Sequence, residues 1–175
     1  MDDKYAFVQK FLHWLVALLV LAQVLLGAGL AYDTPHDDAL AARLFEAHDG
    51  LGATILVLVL LRLALRLILG VPLLPRGTPR WVDWLSRLNH RLLYAVLIVQ
   101  PLVGWFNNGA NGFPWSIYGL YTIPAPIAKD EALAKLLGQV HEAGGGLLVA
   151  LVALHLLGVA YHLIIRRDGV ARRMA

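Results

Sequence analysis

Histidines are the residues of this chain best suited to chemistry, and two of them bound one apolar run, HEAGGGLLVALVALH, from His141 to His155. On a helix, fourteen steps rise about 21 Å and fall only about 40° short of whole turns. The two imidazoles therefore share a face at different depths. A single four-coordinate metal ion needs ligands within a few ångströms, so this spacing suits two stacked cofactors better than one ion. Each then needs a partner at its own depth. His48 falls level with His141, in the first turn of another candidate helix, and His13 falls level with His155, about two turns into the first. Facing imidazoles inside a helix bundle are the axial ligands of haem iron. The pattern predicts two bis-histidine centres, His48/His141 and His13/His155.

Each histidine also has a plainer reading, as a polar residue bonded to a neighbouring helix. Four of them matched in two layers favour ligation, because ionisable residues inside a membrane mark functional sites. The chain has no cysteine, which excludes disulfides, thiolate metal sites and covalent haem attachment. The haem must then be b-type, held by its axial bonds and by packing. Gly144–Gly146 leave bare backbone beside the helix, where a flat macrocycle has room; a glycine there costs up to about 1 kcal/mol of helix propensity.

The remaining histidines rank lower. His90, in LNHRLLY, is the rival of His13, but Arg87 and Arg91 beside it suggest a solvated place near the start of its helix. His36 falls in a polar loop and is expected to be solvated. His162 lies seven residues beyond His155, close to the surface, where it could bond a quinone carbonyl or exchange its proton. Among the cations, Arg62 is deep enough to pair with a propionate of the inner haem in bidentate geometry. Arg66, one turn on, is expected to snorkel to phosphates or contact a quinone. Trp14 is a belt residue or packs on the inner haem or a quinone ring. Lys129 and Lys135 are ordinary loop charges or draw a small anion toward the outer haem.

The elements that must position these residues are apolar and long. Hydrophobic residues make up 59% of the 175, charged ones only 15%, and the mean hydropathy is +0.65. Four stretches, roughly 7–31, 47–70, 85–106 and 137–165, meet the length of about 20 residues that a span needs. The expected fold is all-α, an integral membrane up-down four-helix bundle forming one domain over 1–175. Helix 3 carries Gln100-Pro101, where a kink is expected. The 107–135 loop, with FPWSIYGLYTIPAP, is expected to lie at the interface as a lid or belt. No internal repeat stands out. A signal peptide is conceivable at the amino terminus, but its apolar run is too long and holds His13 and Trp14.

The sequence pI of about 9.4 reflects topology rather than nucleic-acid binding. Of the 15 basic residues, only Arg43, Lys129 and Lys135 fall on the side of the outer loops. The positive-inside rule then places both termini and the 71–84 connection in the cytoplasm.

KFLHWLVALLV, AHDGLGATILVLVLLRLALR, PWSIYGLYTIP and the HE…LH spacing in the last helix together resemble the bacterial cytochrome b561 family over nearly the whole chain. The resemblance implies a four-helix, di-haem inner-membrane protein with His13 and His155 on one haem b and His48 and His141 on the other. It also implies a quinone-coupled electron carrier, of which some members oxidise superoxide at the outer face and reduce ubiquinone. A cytochrome b anchor or electron-transfer subunit of a hydrogenase or formate dehydrogenase is the alternative. A transporter or metal-handling protein would instead gather its histidines at one midplane site.

Overall fold

A computed structural model describes residues 4–32, 38–75 and 77–174. His36 and Arg76 lie outside them. Four helices, α1 (Phe7–Tyr32), α2 (Asp38–Leu69), α3 (Arg80–Ala110) and α4 (Glu131–Ala160), carry the chain back and forth. All four are long and apolar enough to cross a membrane. Their outer faces are covered with large apolar side chains, Leu18, Leu25, Val57 and Leu67 among them, each more than 60% exposed. Hydrocarbon is the solvent these faces fit, and helices satisfy their own backbone groups there. Inside, Val16 and Val20 of α1 meet Ile55 and Val59 of α2 and Leu148 of α4, with Leu93 and Leu97 of α3 packed against them. α1 packs on α2, α2 on α3, and α3 on α4.

The helices begin earlier than hydropathy suggests. α2 starts at Asp38 rather than 47, α3 at Arg80 rather than 85, and α4 at Glu131 rather than 137. Apolar windows register the lipid-facing length, whereas caps register where the backbone turns. Asp130 caps α4 by accepting from the Leu133 amide at 3.0 Å. Pro79 precedes α3, and its carbonyl accepts from the Val82 and Asp83 amides. α3 runs unbroken through Pro101 to Ala110. These extensions bury histidines more deeply than expected. His48, His90 and His141 each lie ten residues inside their helix, about three turns from its start.

Between α3 and α4 the chain forms a hairpin of β1 (Trp115–Ile117) and β2 (Tyr121–Ile123), antiparallel with Ser116 opposite Thr122. It docks on the N-terminal half of α2, where the Tyr118 ring covers Gly50 so closely that any Cβ there would overlap it. Tyr118 Oη also meets Thr54 Oγ1 at 2.8 Å. At the opposite end the termini close the bundle. Gln9 donates to the Gly70 carbonyl at 3.1 Å, Arg173 to Leu73 at 2.5 Å, and Arg166 to Gly77 at 3.2 Å. After α4 the helix widens into a π-helical turn, Tyr161–Arg166, which Arg167 ends in the left-handed region.

Replacing Asp130 with alanine removes the cap of α4 and is expected to cost about 1 kcal/mol. Thermal unfolding of the detergent-solubilised protein should then fall by about 2–4 °C, with Asp130→Asn nearly neutral.

Candidate cofactor sites

Two imidazole pairs face one another at two levels of the bundle. His48 of α2 and His141 of α4 have ring centroids 6.0 Å apart at an interplanar angle of 75°. His13 of α1 and His155 of α4 stand 6.2 Å apart at 67°. Two imidazoles bound in trans to one metal, with metal–nitrogen bonds of about 2 Å, have centroids roughly 6 Å apart. Both pairs match that spacing. The Nδ1 atoms of His13, His48 and His141 are buried, and no protein group satisfies them. A buried polar atom left unpaired costs about 1–3 kcal/mol, so holding the rings this way gives up stability locally. Among the described residues no cluster of three or more ligating side chains could hold a lone metal ion.

His90 is not at a solvated helix start. Because α3 begins at Arg80, its ring reaches the inner pair and lies edge-on to His155, 5.2 Å between centroids. That is closer than a trans pair allows, and its Nδ1 already donates to the Ser86 carbonyl at 2.6 Å. The inner level thus holds three imidazoles, two at ligating distance and a third tethered to its own helix.

The cations divide. Arg62 lies over the Tyr94 ring at 5.6 Å and close enough to His13, His90 and His155 to act on them electrostatically. It sits fourteen residues after His48, as His155 does after His141, and so reaches the inner level. Arg66 lies 5.9 Å from the same Tyr94 ring, and with Arg62 it lines a small pocket beside Tyr5, Gln9 and Met174. Trp14 is 59% exposed; it meets the His13 ring edge-on at 5.3 Å and spends its indole N–H on the Met174 carbonyl at 2.8 Å.

His162 occupies a separate place. It lines a cavity of about 270 Å³ between α3 and α4, together with His90, His155, Trp81, Asn89 and Tyr161. Its Nδ1 lies 2.8 Å from Asp168 Oδ2, and Arg166 Nε approaches the same oxygen at 3.5 Å. The π-helical turn that carries His162 is a form common at functional sites. Arg66 and Trp14, grouped with His162 in the sequence reading, do not line this cavity.

Several participants escaped the sequence reading. Gln23 donates to the His48 carbonyl at 3.0 Å, and Gln100 to the His141 carbonyl at 2.8 Å. Asn108 donates to Asp49 at 2.7 Å, tying α3 to α2 beside His48. Of the glycine run, Gly144 faces protein, since a side chain there would overlap Gln100, while nothing lies within 4 Å of a Cβ at Gly145 or Gly146. Lys129 lies along Gly112 at the foot of the hairpin loop.

The sequence profile of prokaryotic cytochrome b561 matches residues 4–175. The chain belongs to the prokaryotic cytochrome b561 family. It is 26% identical to cytochrome b561 homolog 2 of Escherichia coli K12 over 173 residues, 98% of this chain and 91% of that protein. It is 27% identical to the probable superoxide oxidase CybB of Yersinia pestis over 180 aligned positions, covering 99% and 97% of the two chains. Cytochrome b562 of Cereibacter sphaeroides is 29% identical over 176 positions, 99% of this chain and 96% of that one. The protein is thus a haem b-binding, electron-transferring bacterial membrane protein.

Asp168, beyond the last span, gives a pH test. Desolvation pushes its carboxyl up, but bonds from His162, the Val170 amide and Arg166 outweigh it, so its pKa is lowered overall. A lowered folded value contributes stability above the ordinary carboxylate range and loses it as pH falls through that value. The Tm difference between wild type and Asp168→Asn should therefore be full at neutral pH and shrink toward zero on acidification below about pH 4.

Proposed function

We propose that this protein binds two haems b, one between His48 and His141 and one between His13 and His155, and carries electrons from an outer donor to ubiquinone. The observation that carries the reading is the pair of imidazole couples, 6.0 and 6.2 Å apart, at two levels of one bundle. Haem, when bound, supplies the one-electron couple; the chain supplies position and tuning. Arg62, at the inner level, offers a guanidinium to a propionate. The excess of cations at the end carrying the termini puts that end in the cytoplasm, so His48 and His141 face the periplasmic side.

The donor we favour is superoxide, the substrate implied by the name of the Yersinia pestis relative. It only surrenders an electron, so no acid or base is needed at the outer end. Lys129 and Lys135 are local positive charges at an end that also carries eight acidic residues. Quinone reduction does require protons. Two superoxide anions, one quinone and two protons give two dioxygen molecules and one quinol. His162, held at Nδ1 by Asp168, lines the cavity it shares with His155 and keeps its other nitrogen for a quinone. In its protonated form that nitrogen donates to a quinone carbonyl and can deliver the proton as reduction proceeds. The mostly apolar walls of the cavity suit a quinone ring.

Purified protein should show b-type bands in a reduced-minus-oxidised spectrum and reduce a ubiquinone analogue under a superoxide flux. His155→Ala should lose about half of the haem and leave the outer centre reducible. Retention of both haems would mean the pairing is wrong. His162→Ala should keep both haems yet slow quinone reduction about a hundredfold. Reduction at the wild-type rate would remove His162 from the quinone site, and no reduction by superoxide in wild type would remove that donor.

A further inference from the structure

The two helical hairpins repeat one another in a way the apolar sequence hides. α1 carries His13, Gln23 and Gly27; α3 carries His90, Gln100 and Gly104, at the same intervals of ten and four residues. The second helices match as well, with His48 and Arg62 in α2 and His141 and His155 in α4, each fourteen apart.

The repeat extends to contacts. In the first hairpin Gln23 donates to the backbone carbonyl of His48, and a Cβ on Gly27 would stand 3.1 Å from His48 Cε1. In the second, Gln100 donates to the backbone carbonyl of His141, and a Cβ on Gly104 would stand 3.3 Å from His141 Cε1. Each glutamine in turn rests on a glycine of the histidine's own helix, Gly52 in α2 and Gly144 in α4. One arrangement has been built twice, once for each ring of the outer pair.

A histidine ligand is ordinarily held in its ring plane by a hydrogen bond from its second nitrogen. Neither His48 nor His141 has one, since the buried Nδ1 of each lacks a partner. Rotation about the bond to the ring is soft by itself, so packing must supply the restraint. The glutamine fixes the depth of the histidine backbone, and the bare glycine admits one ring edge while walling off other rotations.

We propose that Gln23 with Gly27, and Gln100 with Gly104, are positioning residues: a duplicated seat that sets the ring planes of His48 and His141 and so tunes the outer haem alone. The inference rests on the reading of those two histidines as ligands of one iron. It attributes the tuning to steric contact where a hydrogen bond usually serves.

The glycines provide their own controls. Gly29 lies in the same helix as the seat glycine Gly27, and nothing stands within 4 Å of a Cβ there. Alanine is the better helix former, so none of these replacements weakens a helix as such. Haem-loaded Gly27→Ala and Gly104→Ala should show a changed low-spin ferric signal in electron paramagnetic resonance and a displaced midpoint potential for one centre. The His13/His155 centre should be unchanged, as should both centres in Gly29→Ala. Selective loss of the outer haem in the seat variants would also support the seat. Wild-type signals in both seat variants would overturn it, as would equal changes in Gly29→Ala or simultaneous disturbance of both centres. His48→Ala separates the two readings. If it keeps both haems, the ligand reading fails; if it loses the outer haem while Gly27→Ala and Gly104→Ala stay wild-type, only the seat fails.

Discussion

Imidazole inside hydrocarbon is the constraint around which this molecule is arranged. A ring nitrogen there finds no water, and an unpartnered polar atom is a standing penalty. The bundle does not relieve it internally at His13, His48 or His141, whose Nδ1 atoms stay without a partner among protein groups. Instead the rings are brought face to face at metal-ligating distance in two layers. Stability is given up locally so that an iron macrocycle has somewhere to bind, and the rest of the fold serves to hold the two layers apart and in register.

The packing around the layers follows from that demand. Apolar contact alone cannot drive helices together in lipid, so close approach and hydrogen bonds must do so. Glycine supplies the approach at Gly27, Gly50, Gly104 and Gly144, each of which faces a side chain from another element. Amides supply the bonds: Gln23 joins α1 to α2, Gln100 joins α3 to α4, and Asn108 joins α3 to α2. Nearly all of this polar glue lies within a turn or two of His48 and His141. At the other end the fastening comes from the termini, through Gln9, Trp14, Arg166 and Arg173, which leaves the cavity beside His155 and His162 walled by α3 and α4.

Most of the fold was legible because lipid imposes a simple rule on composition: a span must be apolar for about 20 residues. The four helices and the layering of His13, His48, His141 and His155 followed from hydropathy and helical periodicity. Helix starts did not, because caps such as Asp130 act through the backbone and leave hydropathy unchanged. That shift also misplaced His90, which looked solvated beside Arg87 and Arg91 but lies against His155. The repeat of His-Gln-Gly spacing in α1 and α3 was missed for a related reason. It resides in three polar or small residues per helix, among apolar neighbours that lipid allows to vary freely.

Spacing along a single helix is local geometry, so the sequence alone determined which residues share a face and at what depth: His141 above His155, and His48 above Arg62. Which faces turn toward each other is set by how the helices dock. Only the tertiary structure decided that His90 joins the inner pair, that His162 opens on the cavity and Arg66 does not, and that Gly27 and Gly104 bear on imidazole edges. Those contacts join residues many positions apart, through close packing that no one-dimensional pattern encodes.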